Sequence, residues 1–379
     1  MQPDSQAFDL LCAIARPRPD LERARAILET GVEFDALFSC ASYHAVRPRL
    51  SPLLTLEVAP AFTQALGEAL GRFEQEHVAR ALAMLAELVR VIDLFREAGI
   101  PVFTFKGPAL AQQLYGGLAR REYVDIDLLV PPDRAEAAKA ALASLGYRNA
   151  QGDPAFVRTF LGAQRQVSLA RPGLPSAFDL HWAFTGRELP FPLAPDEVWS
   201  RLDTVGIGGR LVPTLVPEDL ALLLAGHGTK EAWHRLTWVC DFAWLVVRHP
   251  ELDWTRLLAR ARRQHCGGAL LLAVAVAHRL LGTTIPAALA GPLADSPQVD
   301  ATAGEVIAAL RRGAAEGPSG HLYDLLLCDR TVDRWWTMAR TALTPTAGDY
   351  HAMPLPRPLW PLYWLTRPFR LAGRALRRG

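Results

Sequence analysis

The sequence predicts an α+β protein, with a small mixed sheet set between N-terminal and C-terminal helical regions. Three observations predict it. Apolar residues recur at three- and four-residue spacing through Leu21–Leu28 and Phe62–Phe95, with charges between them. After Gly99 the pattern changes to short β-branched and aromatic runs that alternate with helical stretches. From Pro217 to about residue 340 the helical spacing returns. These shifts divide the chain into a helical region 1–98, a sheet-bearing domain 99–216 and a helical domain 217–379.

The elements follow in order. Pro17, Pro19, Pro48, Pro52 and Pro60 punctuate the first helices. Pro101–Phe105 reads as a buried strand. Lys106, Gly107 and Pro108 then open a helix over Ala109–Tyr115, because proline suits a first helical turn. Tyr123–Val130 is a second strand, ended by Pro131-Pro132, and Asp133–Leu145 is a helix running to Gly146. Gln166–Ala170 and Ala177–Trp182 are two more strands, and a strand pair is expected near Val205–Leu215 around Gly206, Gly208 and Gly209. Pro217, Glu218 and Asp219 begin the C-terminal helices, with the acids near the positive end of the helix dipole. The Pro- and Ala-rich stretches 284–298 and 343–358 are expected to be flexible loops.

Composition narrows the function. A net charge of +2 over 379 residues advertises no polyanionic partner, so no clear nucleic-acid partner is expected. The five cysteines are scattered and none forms a Cys-x-x-Cys pair, which speaks against a zinc site or a disulfide framework and for a reducing cytoplasm. The first residues lack a signal-peptide pattern, and stretches such as Ala269–Ala277 fall short of the ~20 apolar residues that span a bilayer. Neither a Walker A motif nor G-x-G-x-x-G occurs.

The chemistry concentrates in three acids. Asp125 and Asp127 lie two apart in a strand, so both project from one face while Val124, Ile126, Leu128 and Val130 cover the other. Two adjacent carboxylates repel unless a cation lies between them, and a hard divalent ion with oxygen ligands supplies that charge. The competing reading is a solvent-facing edge strand, which is usually more polar. Asp179 alternates with Phe178, Leu180 and Trp182 and shares its face with His181. If the two strands are neighbours, Asp179 joins the pair as a metal ligand or as a base toward a hydroxyl. His181 is read as structural. Upstream, Lys106-Gly107 ends a strand and starts a helix, where backbone N–H groups bind anions and glycine permits close approach.

The residues Phe105-Lys106-Gly107 with Leu110 and Tyr115, Arg121 with Asp125-Ile126-Asp127-Leu128-Leu129-Val130, and Asp179-Leu180-His181-Trp182 resemble the nucleotidyltransferase superfamily, the polymerase β-like palm fold. They are more similar to the bacterial nucleotidyltransferase-like group that carries Lys-Gly in place of Gly-Ser. A later stretch also matches: His227-Gly228, Lys230, Trp233, Arg235-Leu236, Trp238 and Asp241. The resemblance implies a nucleotidyltransferase palm domain, with Asp125, Asp127 and Asp179 as metal ligands and catalytic acids. It implies Mg²⁺, with Mn²⁺ as a substitute, and a nucleoside triphosphate donor, with ATP taken first. Lys106, Gly107, Arg121, His227, Lys230 and Arg235 are the nucleotide-binding candidates. The hydroxyl-bearing acceptor, a small molecule or a peptide, stays open. Two rivals are a non-catalytic nucleotide-binding adaptor in a biosynthetic pathway and a toxin-like enzyme acting on transfer RNA.

At 100° per residue, His227, Lys230, His234 and Asp241 fall within about 60° of one another, so a single helix would carry them as a polar stripe with Trp238 on its edge. The stripe faces a nucleotide or forms a buried hydrogen-bonded network. Arg235 lies off it. The C-terminal tail from Pro358 is aromatic first and basic later. A peripheral membrane contact is weighed against packing on the body, with Arg367, Arg370, Arg374, Arg377 and Arg378 in water. Packing is preferred, because Pro361 and Pro368 interrupt a continuous amphipathic helix.

Overall fold

The computed structural model describes residues 5–57, 59–149, 165–174, 177–186, 189–313 and 328–376. Helices α1 (Ser5–Ile14), α2 (Leu21–Leu28) and α3 (Phe34–Tyr43) lead through a 3-10 stretch, Arg47–Thr55, into α4 (Pro60–Glu97). Asp20 caps α2 by accepting the Arg23 N–H at 3.1 Å, which satisfies one of the donors that a helix start leaves free. The 38 residues of α4 make a rod about 57 Å long. Its two halves bury against different partners. Leu66 and Leu70 join the apolar cluster of the N-terminal helices, whereas Ala81, Met84, Leu88, Val91 and Phe95 pack under the sheet.

The sheet holds β1 (Phe103–Thr104), β2 (Asp125–Leu129), β3 (Arg148–Asn149), β4 (Gln166–Ala170) and β5 (Ala177–His181), in the order β1-β2-β5-β4-β3. The β2–β5 pair is parallel and the other pairs are antiparallel, so the expected mixed sheet forms. The strand β2 is internal, and Ile126 and Leu128 enter the core as the alternation requires. Val124 instead precedes the strand and is exposed. The short β3, which the sequence pattern did not suggest, adds an edge to β4.

Helix α5 (Gly107–Tyr115) follows β1, and α6 (Ala135–Ser144) lies between β2 and β3. A one-turn helix, α7 (Pro195–Val198), precedes the hairpin of β6 (Asp203–Ile207) and β7 (Arg210–Thr214). Gly208 and Gly209 turn it at φ +56° and +76°, values that suit the twist of a two-residue hairpin loop.

The second helical set comprises α8 (Pro217–Lys230), α9 (Leu236–Arg248), α10 (Trp254–Arg263), α11 (Gly267–Leu281), α12 (Ala287–Ala294), α13 (Pro297–Arg312), α14 (Thr331–Leu343), α15 (Ala347–Ala352) and α16 (Tyr363–Leu376). Helices α8, α9, α11 and α13 share one apolar cluster with α1.

Several expectations are corrected here. The stretches 284–298 and 343–358 hold α12, α15 and the start of a 3-10 turn rather than open loops. Alanine has the best helix propensity, and a capping box between Thr346 and Asp349 starts α15. Helix α16 also runs through Pro368, which costs one backbone bond near its first turn. Arg367 and Arg370 are not in water: both hold Asp349, at 2.7 and 2.6 Å. Among the described residues no helix is long and apolar enough to cross a membrane.

Candidate active site

Parallel pairing of β2 and β5 sets Asp127 directly opposite Asp179. Two residues further along β5, His181 falls on the same face. The result is a group of Asp127, Asp179 and His181 in which one ligand atom from each lies within 4.8 Å of the others. His181 Nε2 is 3.1 Å from Asp127 Oδ1, and Lys106 Nζ is 3.5 Å from the same oxygen. Ser168, the antiparallel partner of Asp179 on β4, donates its hydroxyl to Asp179 Oδ1. Asp125 lines the same pocket but lies outside the tight group.

The electrostatics are those of crowded acids with too little positive charge. Burial, and next the Asp127 carboxylate, push the Asp125 carboxyl up to about 6. Burial also acts against charge on Asp127, but Lys106 and the His181 hydrogen bond outweigh it and hold Asp127 below the ordinary carboxylate range. Two buried atoms of this group, Asp127 Oδ2 and His181 Nδ1, have no hydrogen-bond partner among the described residues. A buried carboxylate oxygen without a donor is costly, and a cation at that position removes the cost. The donor set of two carboxylates and one imidazole fits a divalent ion.

Lys106 occupies the N-cap position of α5, two residues past the end of β1. Gly107 adopts φ +57°, and a Cβ there would lie 2.9 Å from the Asp125 carbonyl oxygen. Glycine therefore brings the start of α5 against the acid strand, which fixes Lys106 beside Asp127.

The opposite wall comes from the segment linking α8 to α9. The single helix expected to carry a polar stripe does not exist. It breaks at Glu231–Arg235, where Ala232 and Trp233 take φ values of +54° and +50°. The Trp233 ring is fully buried over Gly228, where a Cβ would meet it at 2.5 Å, and its indole N–H donates to Thr229. The break separates the polar residues. His227, Lys230, His234, Arg235 and Trp238 line the pocket. Trp238 stands edge-on to His234 and His227, with ring centroids 4.5 and 5.3 Å away. Burial, then Lys106 and Lys230, lower the pKa of the His227 imidazole well below its ordinary value. Asp241 faces elsewhere: Arg121 grips it through two bonds of 2.8 Å, and Tyr115 donates to it at 2.8 Å, all buried. Arg121 borders the pocket with its guanidinium committed to Asp241.

The pocket encloses about 540 Å³ and also takes Arg47, His77 and Arg80 from the N-terminal half. The sequence reads His181 as structural, whereas the structure sets it in the group with Asp127 and Asp179. The signal that could have found it was its place two residues after Asp179, on the face turned to Asp127. His234 and Trp238 needed the chain break to reach the pocket, and no spacing rule announces that break.

Residues 30–282 match the model of a family described as an uncharacterised nucleotidyltransferase. No curated protein matches. Two solved structures resemble the chain weakly. One is the solution structure of the antibiotic-resistance factor ANT(2'')-Ia, at 16% identity over 47% of this chain and 89% of that one, with a TM-score of 0.33. The other is a crystal structure of ANT(2'')-Ia in complex with adenylyl-2''-tobramycin, at 15% identity over 59% and 96%, with a TM-score of 0.27.

Proposed function

The chain belongs to the uncharacterised nucleotidyltransferase family, and from that premise we propose that it moves a nucleoside monophosphate from a magnesium-bound triphosphate, ATP first, to a hydroxyl-bearing acceptor. The observation that carries the reading is the convergence of Asp127, Asp179 and His181 beside Lys106, with Asp127 Oδ2 buried and without a hydrogen-bond partner among the described residues.

Asp127 and Asp179 would hold the divalent ion with His181 beside them, and Asp125, from the same pocket lining, would supply a third carboxylate. When bound, the ion supplies charge neutralisation at the triphosphate. Lys106, the Gly107 amide and Lys230 bind phosphate oxygens from the two walls of the pocket. Trp238, kept upright by its two histidine neighbours, offers a face to the base. The acceptor oxygen forms a bond to the α-phosphorus as the bond from that phosphorus to the bridging oxygen breaks. Pyrophosphate leaves with the electron pair. Asp179, oriented by Ser168, either takes the acceptor proton or completes the ligand set. Positioning and charge stabilisation supply most of the rate. The five scattered cysteines, all buried, favour a reducing cytoplasm as its place of action.

Titration calorimetry with Mg-ATP and Mg-CTP, on the wild type and on Asp125→Asn/Asp127→Asn, tests the donor side. The expected result is a loss of at least about tenfold in affinity in the variant. Equal affinity with and without the acids would sink the metal site. Incubation with labelled triphosphate and cell extract then reads out transfer. A labelled small molecule or peptide names the acceptor, labelled RNA supports the transfer-RNA rival, and binding without label transfer supports the adaptor.

A further inference from the structure

A second surface shares no residue with the pocket. Helices α14 and α16 pack on each other, and their unit buries Thr337, Trp360, Tyr363 and Arg367. What it leaves outside is unusual for a globular surface. On α14, Val332, Trp335, Trp336 and Leu343 recur at helical spacing and are exposed, the two tryptophans at 67% and 65%. On α16, Leu365 and Phe369 are 66% and 79% exposed, and Leu362 just before them is also exposed. So many exposed large apolar side chains on one helix pair call for an apolar partner.

Charge selects the partner. From Arg330 onward the sequence holds nine arginines and only two acids, Asp333 and Asp349, a net charge of +7 in a chain whose total is +2. Asp349 is already held by Arg367 and Arg370. Two copies of so basic a face repel, so self-association through it is disfavoured. Nucleic acid would take the arginines and stack on tryptophan, but it offers nothing to Val332, Leu343, Leu362 and Leu365. An anionic bilayer surface satisfies both features: headgroups take the arginines, and the interfacial layer takes tryptophan and aliphatic side chains. We infer that α14 and α16 dock the protein peripherally on an anionic lipid surface, with Trp335, Trp336, Leu365 and Phe369 in the interfacial layer.

Flotation of the full chain with phosphatidylcholine vesicles, with and without phosphatidylglycerol, tests the inference. The wild type is expected to float with the anionic vesicles, far less with the neutral ones, and less at high salt. Brominated lipid is expected to quench its tryptophan emission. Trp335→Ser/Trp336→Ser/Phe369→Ser should bind at least about tenfold more weakly, with circular dichroism and triphosphate affinity unchanged. Because all three positions are exposed, the fold should survive. Failure of the wild type to float, or equal flotation of the variant, overturns the inference. So does a dimer, or an RNA complex, that the triple substitution dissolves while flotation persists.

Discussion

Gly107 is pressed against Asp125, so closely that a Cβ on Gly107 would lie 2.9 Å from the Asp125 carbonyl oxygen. The same residue has φ +57°, where an L side chain is strained. Gly107→Ala is therefore expected to destabilise the protein by about 2–4 kcal/mol, combining left-handed strain with the clash. Urea unfolding measures it. Triphosphate affinity should fall with it, because Lys106 moves with the start of α5. A variant as stable as the wild type would show that the close approach relaxes without cost.

The Arg121–Asp241 pair joins the sheet domain to α9 through two buried bonds. Removing one partner leaves a buried charge alone, so Asp241→Ala should cost about 3–5 kcal/mol. Arg121→Leu/Asp241→Leu should cost clearly less than the two single changes together. If the guanidinium serves only this pair, the double variant keeps its affinity for Mg-ATP within about threefold. A larger loss would return Arg121 to the nucleotide.

His44 makes stability depend on pH. It is fully buried, and its Nδ1 accepts the Leu236 N–H at 3.2 Å, which requires the neutral ring. Burial, with Arg235 next, lowers its pKa to about 4. The unfolded chain binds this proton more readily, so stability rises with pH between about 4 and 6.5 and is lost as pH falls through that window. The full effect is about 3 kcal/mol. Chemical denaturation across the window should show a shallower slope for His44→Gln, and an unchanged slope would assign the pH dependence to other groups.

Gly228 gives Trp233 its seat, since a Cβ would meet the indole at 2.5 Å. Gly228→Ala should cost about 1–3 kcal/mol by overpacking. It should also raise KM for the triphosphate, because Lys230, His234 and Trp238 flank the displaced segment. Steady-state kinetics beside a thermal melt separates the two effects: a lower Tm with unchanged KM would mean that the connector does not position these side chains.

What could be read from the sequence was local and periodic. The two-residue alternation of Asp125 and Asp127 between Ile126 and Leu128 announced an inner strand with acids on one face, and Asp179 fitted the same rule. Only the parallel register shows that Asp127 and Asp179 are direct neighbours, because pairing 50-odd residues apart leaves no trace in either strand. The stripe through His227 and Asp241 failed for a related reason. A helix wheel assumes an unbroken helix, and the break at Ala232-Trp233 is set by a buried indole, not by glycine or proline. Arg121 is expected at the nucleotide, and a basic residue in a motif does not disclose that its guanidinium meets Asp241, 120 residues away.

Helix α4 contributes side chains to both apolar clusters, Leu66 and Leu70 to one and Met84, Leu88 and Val91 to the other. Melting either cluster would strip half of one continuous helix of its packing, and helix formation propagates cooperatively along the chain. The two cores are thus expected to melt as one thermodynamic unit. Heat should unfold this part of the molecule in a single step, so that occupancy of the pocket, which borrows residues from both sides of the weld, is registered as protection far from where the ligand sits.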